Sequence, residues 1–178
     1  MRLLVVIDYQ HDFVDGSLGS KAAKDIYRNV ADKIDEYSYD EDAYVVFTRD
    51  THSASLYHYS QEGAFLPVLH CVYATKGWEI MDGLFDEEND HHIVFDKSTF
   101  GWPYWQDTLY DLIGIVPDTI EVIGVCTDIC VVSNALALKA CFPEAEMFVD
   151  AKCCAGTSEE AHKAALTVMK SCQIKVTE

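Results

Sequence analysis

The sequence contains the run Leu3-Leu4-Val5-Val6-Ile7-Asp8, in which five apolar residues lead into a carboxylate. A short continuous apolar run is typical of a strand that is buried on both faces of a parallel sheet. Comparable runs predict five further strands, the last of them weaker: Tyr44–Thr48, His92–Phe95, Ile120–Val125, Glu146–Val149 and Ile174–Val176.

Segments of helical character lie between these runs, at Ala22–Tyr37, Trp102–Ile113, Ile129–Cys141 and Ser158–Ser171. Strands that alternate with helices are typical of βαβ units. The pattern therefore predicts a three-layer αβα fold of the α/β class, with a mostly parallel central sheet. A length of 178 residues suits one domain, and since no repeat or linker-like tract divides it, we expect residues 1–178 to form a single domain.

Composition excludes several classes of protein. Apolar residues make up 49% of the chain, enough to build a core, and the formal net charge is −17. A surface that acidic repels phosphate backbones and anionic lipids, so we expect neither a nucleic acid nor a membrane partner. The chain also has no apolar run of the roughly 18 residues that a membrane span requires.

The seven cysteines do not suggest a disulfide framework, because their number is odd and Cys153 and Cys154 are adjacent. The first residues lack the apolar core of a signal peptide. We therefore expect a reduced, cytoplasmic protein with at least one thiol available for chemistry.

Side chains that can take part in catalysis or bind a metal follow four of the predicted strands. They are Asp8, Asp50 with His52, Lys97, and Cys130. Ligands of open parallel sheets bind outside the carboxyl ends of the strands, where these groups would meet. The sequence therefore predicts an active site at that edge of the sheet.

Cys130 is the candidate nucleophile of this site. If Thr127 caps the following helix, Cys130 lies in its first turn, where free N–H groups and the helix dipole stabilise a thiolate. Asp8 could accept the thiol proton, and Lys97 could stabilise the anion. An isolated cysteine is more often buried and inert, but the convergence of strand ends favours the nucleophile. Cys126 and Cys130 are not spaced as C-x-x-C, so a dithiol redox role is disfavoured.

A candidate metal site consists of Asp50, His52, His58 and His70. Imidazole and carboxylate donors suit zinc, iron or manganese, and open positions would admit water or a substrate atom. A single loop histidine is usually only solvated. Three histidines at this spacing, beside a strand-end aspartate, favour a metal.

Four motifs of this sequence resemble those of the isochorismatase-like cysteine hydrolases, in particular the nicotinamidase/pyrazinamidase branch. The resemblance covers essentially the whole chain. The motifs are Asp8-Tyr9-Gln10-His11-Asp12-Phe13, the metal segment from Asp50 to His70-Cys71, Lys97-Ser98-Thr99-Phe100, and Gly124-Val125-Cys126-Thr127-Asp128-Ile129-Cys130.

The resemblance implies a catalytic triad of Asp8, Lys97 and Cys130. Cys130 would attack an amide carbonyl, and Asp8 would carry the thiol proton to the departing ammonia. Water would then hydrolyse the thioester, with Asp8 as base. The backbone N–H groups of Cys126 and Cys130 would form the oxyanion hole, and the Val125–Cys126 peptide bond would be cis.

The resemblance also implies one divalent metal ion, zinc first with iron or manganese as alternatives, which anchors a pyridine nitrogen. The implied reaction is hydrolysis of nicotinamide to nicotinate and ammonia in pyridine-nucleotide salvage. Phe13, Tyr104 and Ile129 would line the ring pocket. Members of the family often self-associate, so a homo-oligomer is expected, although no interface is evident from the sequence.

The sequence departs from the family pattern in three places. The usual W-P-x-H is replaced by Leu66-Pro67-Val68-Leu69-His70, the usual G-T-x-G by Ala74-Thr75-Lys76-Gly77, and Cys126 stands where alanine is usual. The first change alters the pocket wall, so another small amide is an alternative substrate. A catalytically silent metal-binding module is a further alternative, disfavoured because all three triad residues are present.

Overall fold

The computed structural model describes residues 1–114 and 116–178. In this part of the chain six strands form one sheet, in the order β3-β2-β1-β4-β5-β6, and every neighbouring pair is parallel. The strands are β1 (Arg2–Ile7), β2 (Ala43–Asp50), β3 (His92–Lys97), β4 (Thr119–Val125), β5 (Glu146–Ala155) and β6 (Lys175–Thr177). The prediction of an α/β fold with a parallel central sheet is confirmed.

Helices flank this sheet. They are α1 (His11–Val14), α2 (Lys21–Asp25), α3 (Tyr27–Ser38), α4 (Gln61–Phe65), α5 (Trp105–Ile113), α6 (Val132–Cys141) and α7 (Glu159–Ser171). A π-helical turn, Thr127–Val131, runs directly into α6, and short 3₁₀ turns lie at Tyr57–Tyr59 and Lys76–Trp78. None of the helices in the described ranges is long and apolar enough to cross a membrane.

The core lies along the central strands. In β1, Leu3, Leu4, Val5 and Ile7 are fully buried, as expected for a strand covered on both faces. Burial of a side chain of this size stabilises a fold by about 1.5–3 kcal/mol. Strand β1 therefore fixes the position of Asp8, the residue that follows it.

Two predicted elements differ from the structure. The segment Ala22–Tyr37 forms two helices, because the backbone of Ile26 (φ −85°, ψ −6°) interrupts the helix between α2 and α3. Strand β5 continues to Ala155, beyond the predicted end at Val149. A register shift after Val122 lets Gly124 and Val125 pair with Cys154 and Ala155. The longer β5 carries Ala155 to the edge of the sheet where β4 ends.

Gly124 is required by a close approach of two strands. Its φ is +118°, and a Cβ atom at this position would lie 2.1 Å from the carbonyl oxygen of Ile7. The residue therefore sets the spacing between the end of β1, next to Asp8, and the turn that carries Cys130.

We predict that Gly124→Ala lowers the free energy of unfolding by well over 1 kcal/mol, because it combines a disfavoured φ with a backbone clash. Urea denaturation measures the change. Gly114→Ala is the matched control, since Gly114 also has a positive φ (67°) but its Cβ would lie 4.0 Å from the nearest atom, the Tyr110 oxygen. Equal losses of unfolding free energy in the two variants would contradict the argument from the backbone clash.

Candidate active site

Asp8 and Lys97 form a buried ion pair at the carboxyl edge of the sheet. The Lys97 Nζ lies 2.6 Å from Asp8 Oδ2, and both side chains are fully buried. Thr48 of β2 donates a hydrogen bond of 2.6 Å to the other Asp8 oxygen, Oδ1. Lys97 also donates to the Thr99 carbonyl at 2.9 Å. The pair thus connects the ends of β1 and β3 across β2.

The electrostatics of this edge favour a neutral thiol at Cys130. Burial raises the pKa of Cys130 well above its usual value, and the nearby Asp8 adds to the rise while Lys97 opposes it. Burial also raises the pKa of Asp8, against the effect of Lys97. For Lys97, burial lowers the pKa, but the negative charges of Asp8, Cys130 and Asp50 outweigh it and raise the pKa. Forming a thiolate here requires a proton acceptor, and Asp8 is the adjacent carboxylate.

The turn that carries Cys130 is π-helical, a form that is common at functional sites. The Cys126 carbonyl accepts the N–H groups of both Ile129 (3.0 Å) and Val131 (3.1 Å). The Val125–Cys126 peptide bond is cis, which confirms the expectation from the sequence.

Thr127 does not cap this helix, contrary to the sequence prediction. The N-cap position belongs to Cys126, without a side-chain hydrogen bond. Thr127 is buried instead, with its Oγ1 2.8 Å from His162 Nδ1 of α7. Its hydroxyl therefore links the turn of Cys130 to α7 rather than satisfying the free N–H groups of that turn.

Asn134 is a positioning residue that sequence reasoning missed. It is fully buried, and its Nδ2 donates to the carbonyls of Cys130 and Phe100, both at 2.8 Å. Its Oδ1 accepts the Trp102 backbone N–H (2.8 Å) and the Trp105 Nε1–H (3.0 Å). One amide therefore joins the turn of Cys130 to the loop after β3. An asparagine inside a predicted helix carries no signal of this role.

Four donor side chains form a second group beside the ion pair: Asp50, His52, Glu62 and His70. Their side chains are at most 18% exposed. His52 Nε2 lies 2.9 Å from Asp50 Oδ2 and 3.5 Å from Glu62 Oε1. His70 Nε2 lies 3.4 Å from each of the same two oxygens.

The structure does not bring His58 into this group, although the sequence prediction includes it among the ligands. His58 lies on the 3₁₀ turn Tyr57–Tyr59 and is exposed. Glu62 of α4 takes its place, because Ser60 caps α4 by accepting the Gly63 N–H at 2.9 Å and the helix directs Glu62 inward. The sequence signal for Glu62 was only its closeness to the histidines.

The donor group fits a divalent metal ion. Donor atoms bound about 2.0–2.1 Å from a tetrahedral ion lie roughly 3.3–3.4 Å from one another, near three of the four spacings found here. His70 Nδ1 is 2.8 Å from the Val68 carbonyl, which orients Nε2 toward the carboxylates. Two imidazoles and two carboxylates suit zinc, iron or manganese.

The charges of this group are those expected of a cation site. Burial alone lowers the pKa of His52 and of His70, but hydrogen bonds to Asp50 and Glu62 raise them to about 9 and about 10. Burial raises the pKa of Glu62, whereas bonds from the two imidazoles lower it to about 2. The two ionised carboxylates thus hold two protons on the histidines, and a divalent cation could replace both.

Gln10 ties the first motif to this group. Its Nε2 donates to the carbonyls of Asp50 (2.9 Å) and Trp78 (2.8 Å), and its Oε1 accepts the Asp50 N–H at 2.8 Å. Asp12 acts similarly, accepting the Cys71 N–H at 2.7 Å next to His70. These two residues of the motif position the donor group.

A cavity of about 840 Å³ joins the two groups. Cys126, Cys130, Asp50, Glu62 and His70 all line it. Of the predicted pocket residues, Phe13 and Ile129 line the cavity as expected.

Tyr104 does not line the cavity, contrary to the sequence prediction. It is 60% exposed, and its ring packs against Trp102 with 5.4 Å between centroids. The backbone N–H of Trp102 in turn donates to Asn134 Oδ1 at 2.8 Å.

The fold and the site together define an α/β protein whose functional groups meet at the carboxyl edge of a parallel sheet. More narrowly, the model of the isochorismatase domain matches residues 2–178, so the chain belongs to the isochorismatase family of hydrolases. A comparison with curated protein sequences gives no match.

Solved structures of nicotinamidases share this fold. A nicotinamidase from Bacillus subtilis superposes with a TM-score of 0.84 at 22% identity, covering 99% of both chains. A pyrazinamidase of Pyrococcus horikoshii in complex with zinc has a TM-score of 0.83 at 26% identity, covering 99% of this chain and 98% of that one. A pyrazinamidase/nicotinamidase from Streptococcus mutans has a TM-score of 0.82 at 26% identity, covering 99% of both chains. The chain is therefore an isochorismatase-family hydrolase with structural similarity to nicotinamidases.

We predict that Lys97→Met lowers the free energy of unfolding by about 3–5 kcal/mol, because it leaves Asp8 buried without its counter-charge. A raised pKa means that the folded state holds the Asp8 proton more tightly. The stability of the variant should therefore fall as the pH rises above about 4.

The double variant Asp8→Asn/Lys97→Met provides the control, since it removes both charges and keeps an acceptor for Thr48. A double-mutant cycle is completed by urea titrations of four proteins, namely the unmodified protein, Asp8→Asn, Lys97→Met and the double variant. The double variant should be more stable than Lys97→Met alone. Additive losses would show that the pair is not coupled.

Proposed function

We propose that this protein is a metal-dependent nicotinamidase that hydrolyses nicotinamide to nicotinate and ammonia through a thioester on Cys130. The observation that carries the proposal is the shared cavity. Cys130 lines it together with Asp50, Glu62 and His70, so a small heterocyclic amide can contact the thiol and the donor group at once.

The proposed reaction begins with transfer of the Cys130 proton to Asp8 as the sulfur attacks the amide carbonyl. The new C–S bond forms as the carbonyl π pair moves to oxygen, where the N–H groups of Cys126 and Cys130 would stabilise the oxyanion. Collapse of this intermediate breaks the C–N bond, and Asp8 returns the proton to the departing ammonia. Lys97 holds Asp8 in place and balances its charge.

Hydrolysis of the thioester completes the cycle. Asp8 takes a proton from water as the water oxygen attacks the thioester carbonyl. The C–S bond then breaks, the acid is released, and Asp8 returns the proton to the sulfur, which regenerates the Cys130 thiol. The burial that raises the pKa of Asp8 makes it a stronger base than an exposed aspartate.

The metal is proposed to lie among Asp50, His52, Glu62 and His70, with zinc first and iron or manganese as alternatives. When bound, such an ion supplies a Lewis acid to which a ring nitrogen of the substrate can bind. Phe13 and Ile129 would contact the faces and edge of the ring.

Another small amide is the alternative substrate, favoured by the departure from W-P-x-H at Leu66-Pro67-Val68-Leu69-His70, since Leu66 lines the cavity. A silent metal-binding module is less well supported, because the chain retains Asp8, Lys97 and Cys130 together. We further propose that the enzyme acts in the cytoplasm, in pyridine-nucleotide salvage, as a homo-oligomer.

We predict that Cys130→Ala abolishes ammonia release from nicotinamide by the metal-loaded protein, because it removes the sulfur that forms the thioester in the proposed mechanism. Cys172→Ala is the control, since that thiol is exposed and outside the cavity. It should release ammonia at the rate of the unmodified protein. Substantial turnover by Cys130→Ala would overturn the mechanism.

We predict that Glu62→Ala weakens metal affinity by about 100-fold or more, because it removes a donor atom and leaves two imidazoles beside a single carboxylate. His58→Ala, on the same segment but exposed, should bind metal like the unmodified protein. Metal content after dialysis against graded chelator, read by mass spectrometry, measures both. Loss of metal from His58→Ala alone would restore the ligand set expected from the sequence.

A further inference from the structure

The cavity is much larger than a one-ring amide. Nicotinamide has nine non-hydrogen atoms, and at about 30 Å³ each, the share of a water molecule in the liquid, they would fill at most about 270 Å³. The cavity measures about 840 Å³. A nicotinamide that contacts both Cys130 and the donor group would leave most of this space unfilled.

The unfilled part is apolar and leads to the mouth of the cavity. Three of its side chains combine a place in the lining with large exposure: Phe65 is 88% exposed, Phe100 47% and Leu66 37%. Leu18 adds a fourth apolar side chain to the lining. Exposed apolar side chains that line a ligand cavity favour an apolar ligand group, because binding removes them from water.

The mouth is held at a fixed position relative to the donor group. Helix α4 carries both Glu62 and Phe65, and Tyr57 Oη donates to the Leu66 carbonyl at 2.7 Å. Gly63 packs so closely that a Cβ there would lie 2.2 Å from the Tyr57 carbonyl oxygen. The backbone of α4 therefore cannot shift toward a small ligand without disrupting this packing.

The charges of the cavity disfavour an anionic ligand. Within the described part of the chain no lysine or arginine lines it, whereas Asp50 and Glu62 do. The formal net charge of −17 adds a repulsive long-range field. A carboxylate directed away from the donor group would find no lysine or arginine among the described residues that line the cavity.

We propose that the preferred substrates are uncharged heteroaromatic carboxamides that carry a second apolar group, directed from the reacting amide toward Phe65, Leu66 and Phe100. This inference rests on the proposed function, because it uses Cys130 as the amide-cleaving nucleophile. It assigns Phe65 a role in substrate specificity.

The experiment compares the kcat/KM for ammonia release from three amides by the metal-loaded protein. They are nicotinamide, 5-phenylnicotinamide and 5-(4-carboxyphenyl)nicotinamide, which differ first in an apolar ring and then in one negative charge. We expect the phenyl compound to exceed nicotinamide by about tenfold or more, and the carboxyphenyl compound to lose that gain.

Phe65→Ser and Tyr59→Ser form a matched pair of variants, since both aromatic side chains are 88% exposed but Tyr59 does not line the cavity. Phe65→Ser should lower the kcat/KM for 5-phenylnicotinamide about tenfold more than it lowers the kcat/KM for nicotinamide. Tyr59→Ser should change neither value.

The outcomes separate this inference from the proposed function. Hydrolysis of nicotinamide with no gain from the phenyl group, or equal losses on both substrates in Phe65→Ser, would overturn the inference alone. An equal or greater rate with the carboxyphenyl compound would overturn the argument from charge. If the protein releases ammonia from none of the three amides, the proposed function is overturned, and this inference with it.

Discussion

The buried ion pair of Asp8 and Lys97 is the interaction on which the site depends. Two charges without contact to water are tolerated only when they are paired and hydrogen-bonded, and Thr48 and the Thr99 carbonyl supply the remaining bonds. Because the pair spans three neighbouring strands, it fixes β1 and β3 relative to each other at the edge where ligands bind. The same pair sets the electrostatics around Cys130, since Asp8 and Lys97 act on its pKa in opposite directions.

Around this pair, the buried side-chain amides of Gln10 and Asn134 hold the loops that complete the site. Gln10 fixes the backbone of Asp50, and Asn134 joins the carbonyl of Cys130 to the loop after β3. Each makes several hydrogen bonds to backbone groups that would otherwise be buried without partners, which is costly. These hydrogen bonds therefore hold the loops that carry the thiol and the donor group.

The cavity combines two chemically different halves. One half holds the thiol and the buried pair, and it can support covalent chemistry on an uncharged carbonyl. The other half holds four donor side chains, two carboxylates and two imidazoles, a set that suits a divalent cation. The apolar wall that leads outward includes Phe65 and Leu66, and Leu66 belongs to the segment in which the sequence departs from the family pattern. Helix α4 contributes to both features, because Glu62 belongs to the donor group and Phe65 to the apolar wall.

The sequence by itself determined the strands, the parallel sheet and the convergence of Asp8, Lys97 and Cys130, because apolar runs report burial and strand ends of a parallel sheet share one edge. It also pointed to Asp50, His52 and His70, which lie on or beside strand-like segments. Only the tertiary structure decided that Glu62 rather than His58 completes the donor group and that Tyr104 faces solvent. It also decided that Asn134 and Thr127 make the hydrogen bonds that hold the turn of Cys130. These four depend on how short loops and helix α4 fold back on the sheet. That folding is set by long-range hydrogen bonds and packing, which leave no periodicity or fixed spacing in the sequence.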